Sequence, residues 1–286
     1  MGTHKILIVG LQPFDAGKTT VCKALIHGLK EVGVNLTPFK PHAGISYWSQ
    51  FDAFQECLER GSLVSSDILE LEEAAQSRIP LEVLNPVNRL SGPSVERGLP
   101  AEKQTFREFI AERFTHHENT LRHIYFLNGT INLSQMRDMR EFYLRVKKRA
   151  TKLNFLKSFP GLVKAYIDHF EKATSSSYRH LKERPLIIES FNDAAYPFER
   201  ADDCKMVLCA SLNAIYLLNS DKYFKAVEAH GGEKSKIQLT LSDIYSSSLI
   251  REKFQIYPLT DQERGDPDKL AQNYSQVIQK ITDTSV

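Results

Sequence analysis

Apolar residues recur along this chain in two patterns. Short unbroken runs stand at Ile6-Leu-Ile-Val9, Leu186-Ile-Ile188 and Met206-Val-Leu-Cys-Ala210. Runs of that length, bounded by polar or turn residues, fit strands buried on both faces. Elsewhere the spacing is helical: Val21, Leu25, Leu29 and Val32 near the start, and Leu270, Tyr274, Val277 and Ile281 near the end. Residues 34–40 read as a second strand, preceded by a helix C-cap at Gly33 and stopped by Pro41. Residues 51–60 predict a short helix ended by Gly61. Ser65-Ser66-Asp67 opens another helix, with Leu71, Ala74 and Ala75 turned inward. Pro80 and Pro86 make residues 81–89 a loop or an edge segment. After residue 184, strands are expected at 185–190, 205–210, 236–241 and 254–258, with a helix over 214–229 ended by Gly231-Gly232. Strands alternating with helices predict an α/β fold, a mostly parallel sheet with helices on both faces.

Residues 101–184 break the alternation. Phe106, Phe109, Ile110 and Phe114 suggest a helix. Residues 124–133 suggest a hairpin around Asn128-Gly129, a pair that favours a two-residue turn. Met139, Phe142, Val146, Ala150 and Leu153 fall on one helical face, and Val163, Tyr166, Ile167 and Phe170 on another. The expected organisation is one domain over 1–286 carrying a helical insertion at about 101–184. Both flanks of that insertion lie near the carboxyl ends of strands, so it is placed to act as a cap over a site there.

The apolar share of 42% in 286 residues is enough for a sizeable core. The net charge of +2 excludes a general polyanion binder. Residues 137–184 nonetheless hold 13 Lys and Arg against 5 Asp and Glu. Cys22, Cys57, Cys204 and Cys209 form no C-x-x-C pair, so they read as core thiols of a reducing, cytoplasmic compartment rather than as a zinc site or disulfide framework. No run of 18 apolar residues is present, so no membrane span is expected.

The candidate chemistry sits in Gly10-Leu-Gln-Pro-Phe-Asp-Ala-Gly-Lys-Thr-Thr20. Strand, glycine-bounded loop, Lys-Thr and helix form the setting of a phosphate-binding loop, whose backbone N–H groups and helix dipole face an anion. Asp15, Ala16, Gly17, Lys18, Thr19 and Thr20 are the candidate nucleotide-binding residues. Lys18 would reach the β- and γ-phosphates and Thr19 would ligate Mg²⁺. The usual first glycine of such a loop is replaced by Gln12, and Gly10 is the nearest glycine upstream. Ligands of α/β sheets sit at the carboxyl ends of strands, which places Lys40 and Glu189 on the same rim. Plainer readings stand beside these. Asp67 and Glu70 could form only a capping box, Glu189 could be a rim charge, and Lys40 a solvated strand end. Lys147-Lys148-Arg149 fits the wet face of a helix, and His42 and His123 read as structural.

In these residues the chain resembles dethiobiotin synthetase and its relatives among the P-loop ATPases, including the amidotransferase-type cobyrinate enzymes and the partitioning ATPases. That family has a loop of the form Gly-Thr-Asp-Thr-x-x-Gly-Lys-Thr, also without the standard first glycine. The other shared markers, in the same order, are Lys40-Pro41, Ser66-Asp67, Asn85-Pro86, Pro93-Ser94 and a strand ending in Glu189. The resemblance implies a P-loop NTPase fold, ATP and Mg²⁺ as cofactors, and a homodimer. It implies that Thr19, Asp67 and Glu189 hold the metal, and that Lys18, Lys40 and Glu189 are catalytic, with Lys40 facing the acceptor. The chain departs from the family at Ser190-Phe-Asn-Asp193, where the family has a glycine-rich turn, and at Gly44, where it has a serine. The markers therefore point to the fold and to phosphate chemistry, not to biotin synthesis as such.

Three functions fit. The first is an ATP-dependent ligase or ATPase-like enzyme that phosphorylates or activates a small acceptor. The second is a polynucleotide or small-molecule kinase, in which the basic residues of 137–184 would hold nucleic acid. The third is a nucleotide-switched interaction protein. Lys40-Pro41 and Ser66-Asp67 favour the first over nucleic-acid binding.

Overall fold

A computed structural model of the chain describes residues 5–13, 15–93, 100–132, 135–232 and 235–284. Ser94 of the Pro93-Ser94 marker and Leu133 at the end of the expected hairpin lie outside them. In chain order the elements begin β1 (Lys5–Gly10), α1 (Lys18–Glu31), β2 (Thr37–Phe39), β3 (His42–Ser46), α2 (Phe51–Arg60), α3 (Ser66–Ala75), α4 (Leu81–Leu84), β4 (Val87–Ser91), α5 (Ala101–Glu108), β5 (Phe109–His117) and β6 (Leu121–Asn128). They continue α6 (Met139–Arg149), β7 (Lys152–Leu156), α7 (Phe159–Leu181), β8 (Leu186–Glu189), β9 (Met206–Ser211), β10 (Ala214–Leu218) and α8 (Ser220–His230). The chain closes with α9 (Leu241–Ile244), β11 (Ile250–Gln255), α10 (Asp261–Arg264), α11 (Pro267–Asn273) and α12 (Ser275–Thr284). Among the described residues no helix is long and apolar enough to cross a membrane. All four cysteines are buried, and none is in a disulfide.

The described residues divide into two compact units. One takes Met1–Pro41, Glu70–Arg78 and Leu181–Val286; the other takes His42–Leu69 and Ile79–His180.

The first unit is built on a six-stranded sheet in the order β11-β10-β9-β1-β8-β2. Strands β2, β8, β1 and β9 are parallel neighbours, as expected of continuous apolar runs. Leu7, Ile8 and Val9 are fully buried, as are Leu186, Ile187 and Ile188. Helix α1 packs on β1 and β8 and against α11 and α12. The sheet is not parallel throughout, because β10 and β11 are antiparallel additions. Only Leu212 and Asn213 separate β9 from β10, and a link that short can only make a hairpin. The helix expected from residue 214 therefore starts at Ser220, where the Asn219 side chain accepts from the Lys222 N–H. Residues 236–241 are not a strand. A 3-10 turn leads there into α9, which is closed by a Thr240–Asp243 capping box. Strand β11 covers Ile250–Gln255, four residues before the strand expected at 254–258.

The second unit has its own five-stranded sheet, β3-β4-β5-β6-β7, parallel at both outer pairs and antiparallel within. The stretch 101–184 is thus not simply helical, since β5, β6 and β7 alternate there with α5, α6 and α7. The aromatic spacing of Phe106 to Phe114 spans the end of α5 and the first half of β5. Asn128-Gly129 is not a hairpin turn. It ends β6, where the Asn128 side chain donates to the carbonyls of Phe106 and Phe109. The hairpin joins β5 to β6 through residues 118–120, and the helix α6 carries the chain over to β7, which pairs parallel to β6. Residues 81–89, expected as loop or edge, hold α4 and most of β4, and β4 lies inside the sheet. Pro86 precedes β4, so its missing N–H breaks no ladder bond, while its carbonyl accepts from Thr115 N–H.

Two consecutive charges, Glu112 and Arg113, lie fully buried in β5. Arg89, opposite Glu112 in register, grips both its carboxylate oxygens at 3.0 Å each. Arg113 donates to the carbonyls of Leu63, Asn85 and Pro86 and to the Thr115 hydroxyl. One side chain therefore fastens residues 63 and 85–86 to the central strand. Arg113→Met is expected to strand those carbonyls and to cost about 3–5 kcal/mol, the usual consequence of breaking a buried charged network. The urea midpoint measures it, and a loss below about 1 kcal/mol would show that the network is dispensable.

Two histidines of this unit, His116 and His123, are held down to about 4, burial being the main cause, with His169 adding to it at the first and Arg113 at the second. Their folded pKa lies below the unfolded value of about 6.5, so the unfolded chain binds more protons in between. Stability from this source is complete above about pH 6.5 and is lost as pH falls towards 4. Denaturation midpoints should fall through that window, less steeply in His116→Asn; parallel profiles for the two proteins would contradict this.

Candidate functional site

In the first unit three parallel strands finish at one edge. Ile188 of β8 lies opposite both Leu7 of β1 and Phe39 of β2. One step on, Glu189 is flanked by Ile8 and by Lys40. Two steps beyond Ile8, β1 ends at Gly10, and α1 begins at Lys18.

The chain around Gly10 is shaped for close approach. A side-chain carbon on Gly10 would lie 3.0 Å from the Gln12 carbonyl, 3.0 Å from Ala16 Cβ and 3.1 Å from the Lys18 ammonium. The chain folds back over Gly10, so a side chain at position 10 would meet its neighbours at close range. Gly17 enters the helix at φ 78°, in the left-handed region. Asp15 also has a positive φ, 55°, and its side chain is exposed, whereas Ala16 is buried. No side chain caps α1, and no acidic residue lies in its first turn. The dipole and N–H groups of this 14-residue helix are thus directed at whatever anion approaches the loop. Lys18 is 8% exposed, and Thr19 and Thr20 are half-buried in the first turn.

Glu189 is the centre of the side-chain contacts. Its Oε1 accepts from Lys40 Nζ at 2.5 Å and from the Thr19 hydroxyl at 3.1 Å. The Lys40 and Glu189 side chains are 4% and 2% exposed. A buried ion pair contributes little net stability, because desolvation offsets its attraction. A carboxylate and an ammonium kept at the ligand-binding edge of an α/β sheet are better explained as a site. On the neighbouring strand the Cys209 thiol is pushed up to about 12 by burial, with Lys18 acting in the opposite sense. It stays protonated at neutral pH and is no nucleophile.

Of the three residues expected to hold a metal, Thr19 and Glu189 meet in the first unit. Asp67, partly buried in the first turn of α3, belongs to residues of the second. Glu70, one turn on, pairs with Lys23 at 2.9 Å. Among the described residues no group of three His, Cys, Asp or Glu could hold a metal by itself. The Thr19 hydroxyl and the Glu189 carboxylate form a small all-oxygen set. It fits Mg²⁺, which keeps several waters and takes one or two protein oxygens beside phosphate.

Two features escaped the sequence reading. The role of Gly10 follows from a fold-back that only coordinates reveal, although a lone glycine at the end of an apolar strand was a usable signal. In the second unit, His42 lies 3.7 Å from the buried Glu112 and against the rings of Tyr166 and Phe170. Tyr166 and Phe170 share a helical face, but no spacing in the sequence links that face to His42 or to Glu112.

Compared with protein-family models, curated proteins and solved structures, the chain matches none.

If the loop receives a nucleoside triphosphate, Gly10→Ala is expected to push Lys18 or the loop out of place and to weaken that binding about tenfold, some 1.4 kcal/mol, without changing far-UV circular dichroism. Equal affinity in the variant would show that Gly10 does not position the lysine.

Proposed function

We propose that this chain is a P-loop NTPase, an ATP-binding, Mg²⁺-dependent enzyme that phosphorylates or activates a small acceptor. The observation that carries the reading is the Thr19–Glu189 contact. It joins the first turn of an uncapped helix, entered through a glycine loop, to a buried carboxylate on the adjacent parallel strand. The N–H groups of residues 17–20 would receive the phosphates, and Lys18 would place its charge on the β- and γ-oxygens. Thr19 and Glu189 would hold Mg²⁺, which when bound neutralises charge developing on the transferred phosphoryl group. Lys40, buried beside Glu189, would face the acceptor. Phosphoryl transfer asks for positioning and positive charge more than for a covalent nucleophile, and the site offers the former. The resemblance of the loop, Lys40-Pro41 and Glu189 to dethiobiotin synthetase supports the same reading.

One observation favours a second reading. Arg140, Lys147 and Lys148 of α6 are exposed, and a kinase acting on nucleic acid could use them for phosphate contacts. Its affinity would then fall steeply with salt, which a filter-binding titration reads directly.

Lys18→Ala is expected to lower Mg-ATP affinity about a hundredfold by calorimetry while leaving the thermal midpoint near that of the parent, because a charge-assisted phosphate contact is lost. If the variant binds ATP as the parent does, the nucleotide reading falls.

A further inference from the structure

The sheet of the second unit ends in an open strand. In the order β3-β4-β5-β6-β7, β7 pairs with β6 on one side and, among the described residues, with no strand on the other. Leu156 turns its carbonyl towards β6, where it accepts from the Gly129 N–H at 2.7 Å. Pairing runs without a register shift from Lys152 to Leu156. Alternation along the strand therefore directs the N–H and carbonyl groups of Leu153 and Phe155 to the open side. Such an edge is a template for another strand, and proteins usually guard it with charge. Here the charge is of one sign. Lys152 opens the strand and Lys157 follows it, both exposed. Between them Phe155 is 51% exposed, its ring 6.1 Å from that of Tyr143 on α6. A large apolar ring in the middle of an edge strand invites contact rather than preventing it.

The cations beside this edge are unanswered. From Met139 to Lys157 the sole acidic side chain is Glu141. In α6, Arg145 pairs with Glu141 and Arg149 with Glu82. Lys147, Lys148, Lys152 and Lys157 are exposed and in no ion pair among the described residues. We propose that the open edge of β7 is a docking site for an extended acidic segment of a partner protein, which adds to the sheet beyond β7. Leu153 and Phe155 supply the ladder bonds, and the Phe155 ring takes an apolar side chain of the segment. Carboxylates flanking that side chain answer the lysines. Main-chain bonds give the complex its affinity, and charge decides which strands are admitted. A second copy of this chain is a poor occupant, because two β7 strands side by side would set lysines against lysines. A nucleic acid would engage the lysines, but it has no strand to offer the N–H and carbonyl groups of Leu153 and Phe155.

Synthetic peptides test this by calorimetry on the full chain. The probes are Glu-Asp-Val-Thr-Val-Asp-Glu, the same peptide with Pro-Pro-Pro at its centre, and Lys-Lys-Val-Thr-Val-Lys-Lys. The first should bind at least about tenfold more tightly than either of the others. Proline leaves the peptide's charge intact and removes its central N–H groups. Equal binding of the two acidic peptides would therefore show attraction without strand addition and overturn the proposal. If the acidic valine peptide binds no better than the basic one, the lysines merely guard the edge, and the proposal falls. On adding the acidic valine peptide to the parent protein, amide exchange at Leu153 and Phe155 should slow several-fold; unchanged exchange there places the peptide elsewhere. Phe155→Glu, at an exposed position, should weaken binding of the same peptide about tenfold while leaving the thermal midpoint near that of the parent. An affinity within about twofold of the parent's would remove Phe155 from the site. Tighter binding of single-stranded oligothymidylate than of the acidic peptide, weakened by Lys147→Glu, would make the surface a nucleic-acid site instead. Sedimentation showing a dimer that Phe155→Glu dissolves would give the edge to a second copy.

Discussion

Parallel pairing of β2, β8 and β1 is the constraint on which the rest of the first unit depends. Parallel strands that share a register end on the same edge. Residues that follow their apolar runs are brought side by side by the backbone, whatever their side chains are. Ile188 lies between Leu7 and Phe39, so Glu189 must meet Lys40. The loop after Gly10 opens on that same edge, and the first turn of α1 delivers Thr19 to Glu189 Oε1. Burial then makes the charges interdependent. A carboxylate this deep is tolerated because an ammonium neutralises it and a hydroxyl donates to it.

The second unit handles buried charge differently. Glu112 and Arg113 are neighbours in the central strand and point to opposite faces of the sheet. Glu112 is satisfied by one guanidinium across the strand, with His42 close by. Arg113 is satisfied chiefly by carbonyls drawn from connecting segments. The first is a cross-strand pair, and the second is a clamp that ties Leu63 and the residues following α4 to the sheet. Both lie where an apolar residue would ordinarily be placed. The charges give this sheet a specific register, because moving β5 by one residue would bring each of them to the wrong face.

The apolar runs of the first unit were legible because strands buried on both faces admit little but Val, Ile, Leu and Cys. Leu186-Ile-Ile188 and Ile6-Leu-Ile-Val9 are therefore visible without any partner. The strand β5 was not, since Glu112, Arg113 and Thr115 interrupt its apolar residues and leave Phe106, Phe109, Ile110 and Phe114 looking helical. Ala214–Leu218 was misjudged for another reason. Its residues suit helix or strand equally, and only the two-residue link to β9 decides between them. Asn128-Gly129 has turn chemistry, but the buried Asn128 uses its amide to hold the carbonyls of Phe106 and Phe109 rather than to close a hairpin.

Of the candidate site, the loop, its lysine and its threonine could be placed from local sequence alone, because strand, glycine and Lys-Thr are adjacent in the chain. Glu189 and Lys40 could be assigned to a rim but not to each other, since 149 residues separate them. The amino-acid sequence by itself determined the α/β class, the buried strand ahead of a glycine-bounded loop, and the supply of one hydroxyl, one carboxylate and two ammonium groups. Only the tertiary structure decided that the carboxylate holds one of those ammonium groups and the hydroxyl on a single oxygen, and that the chain folds back over Gly10. The physical reason is that periodicity reports which face of an element is buried. Which two buried groups meet is set by register and by strand order, and these arise from the packing of the whole sheet.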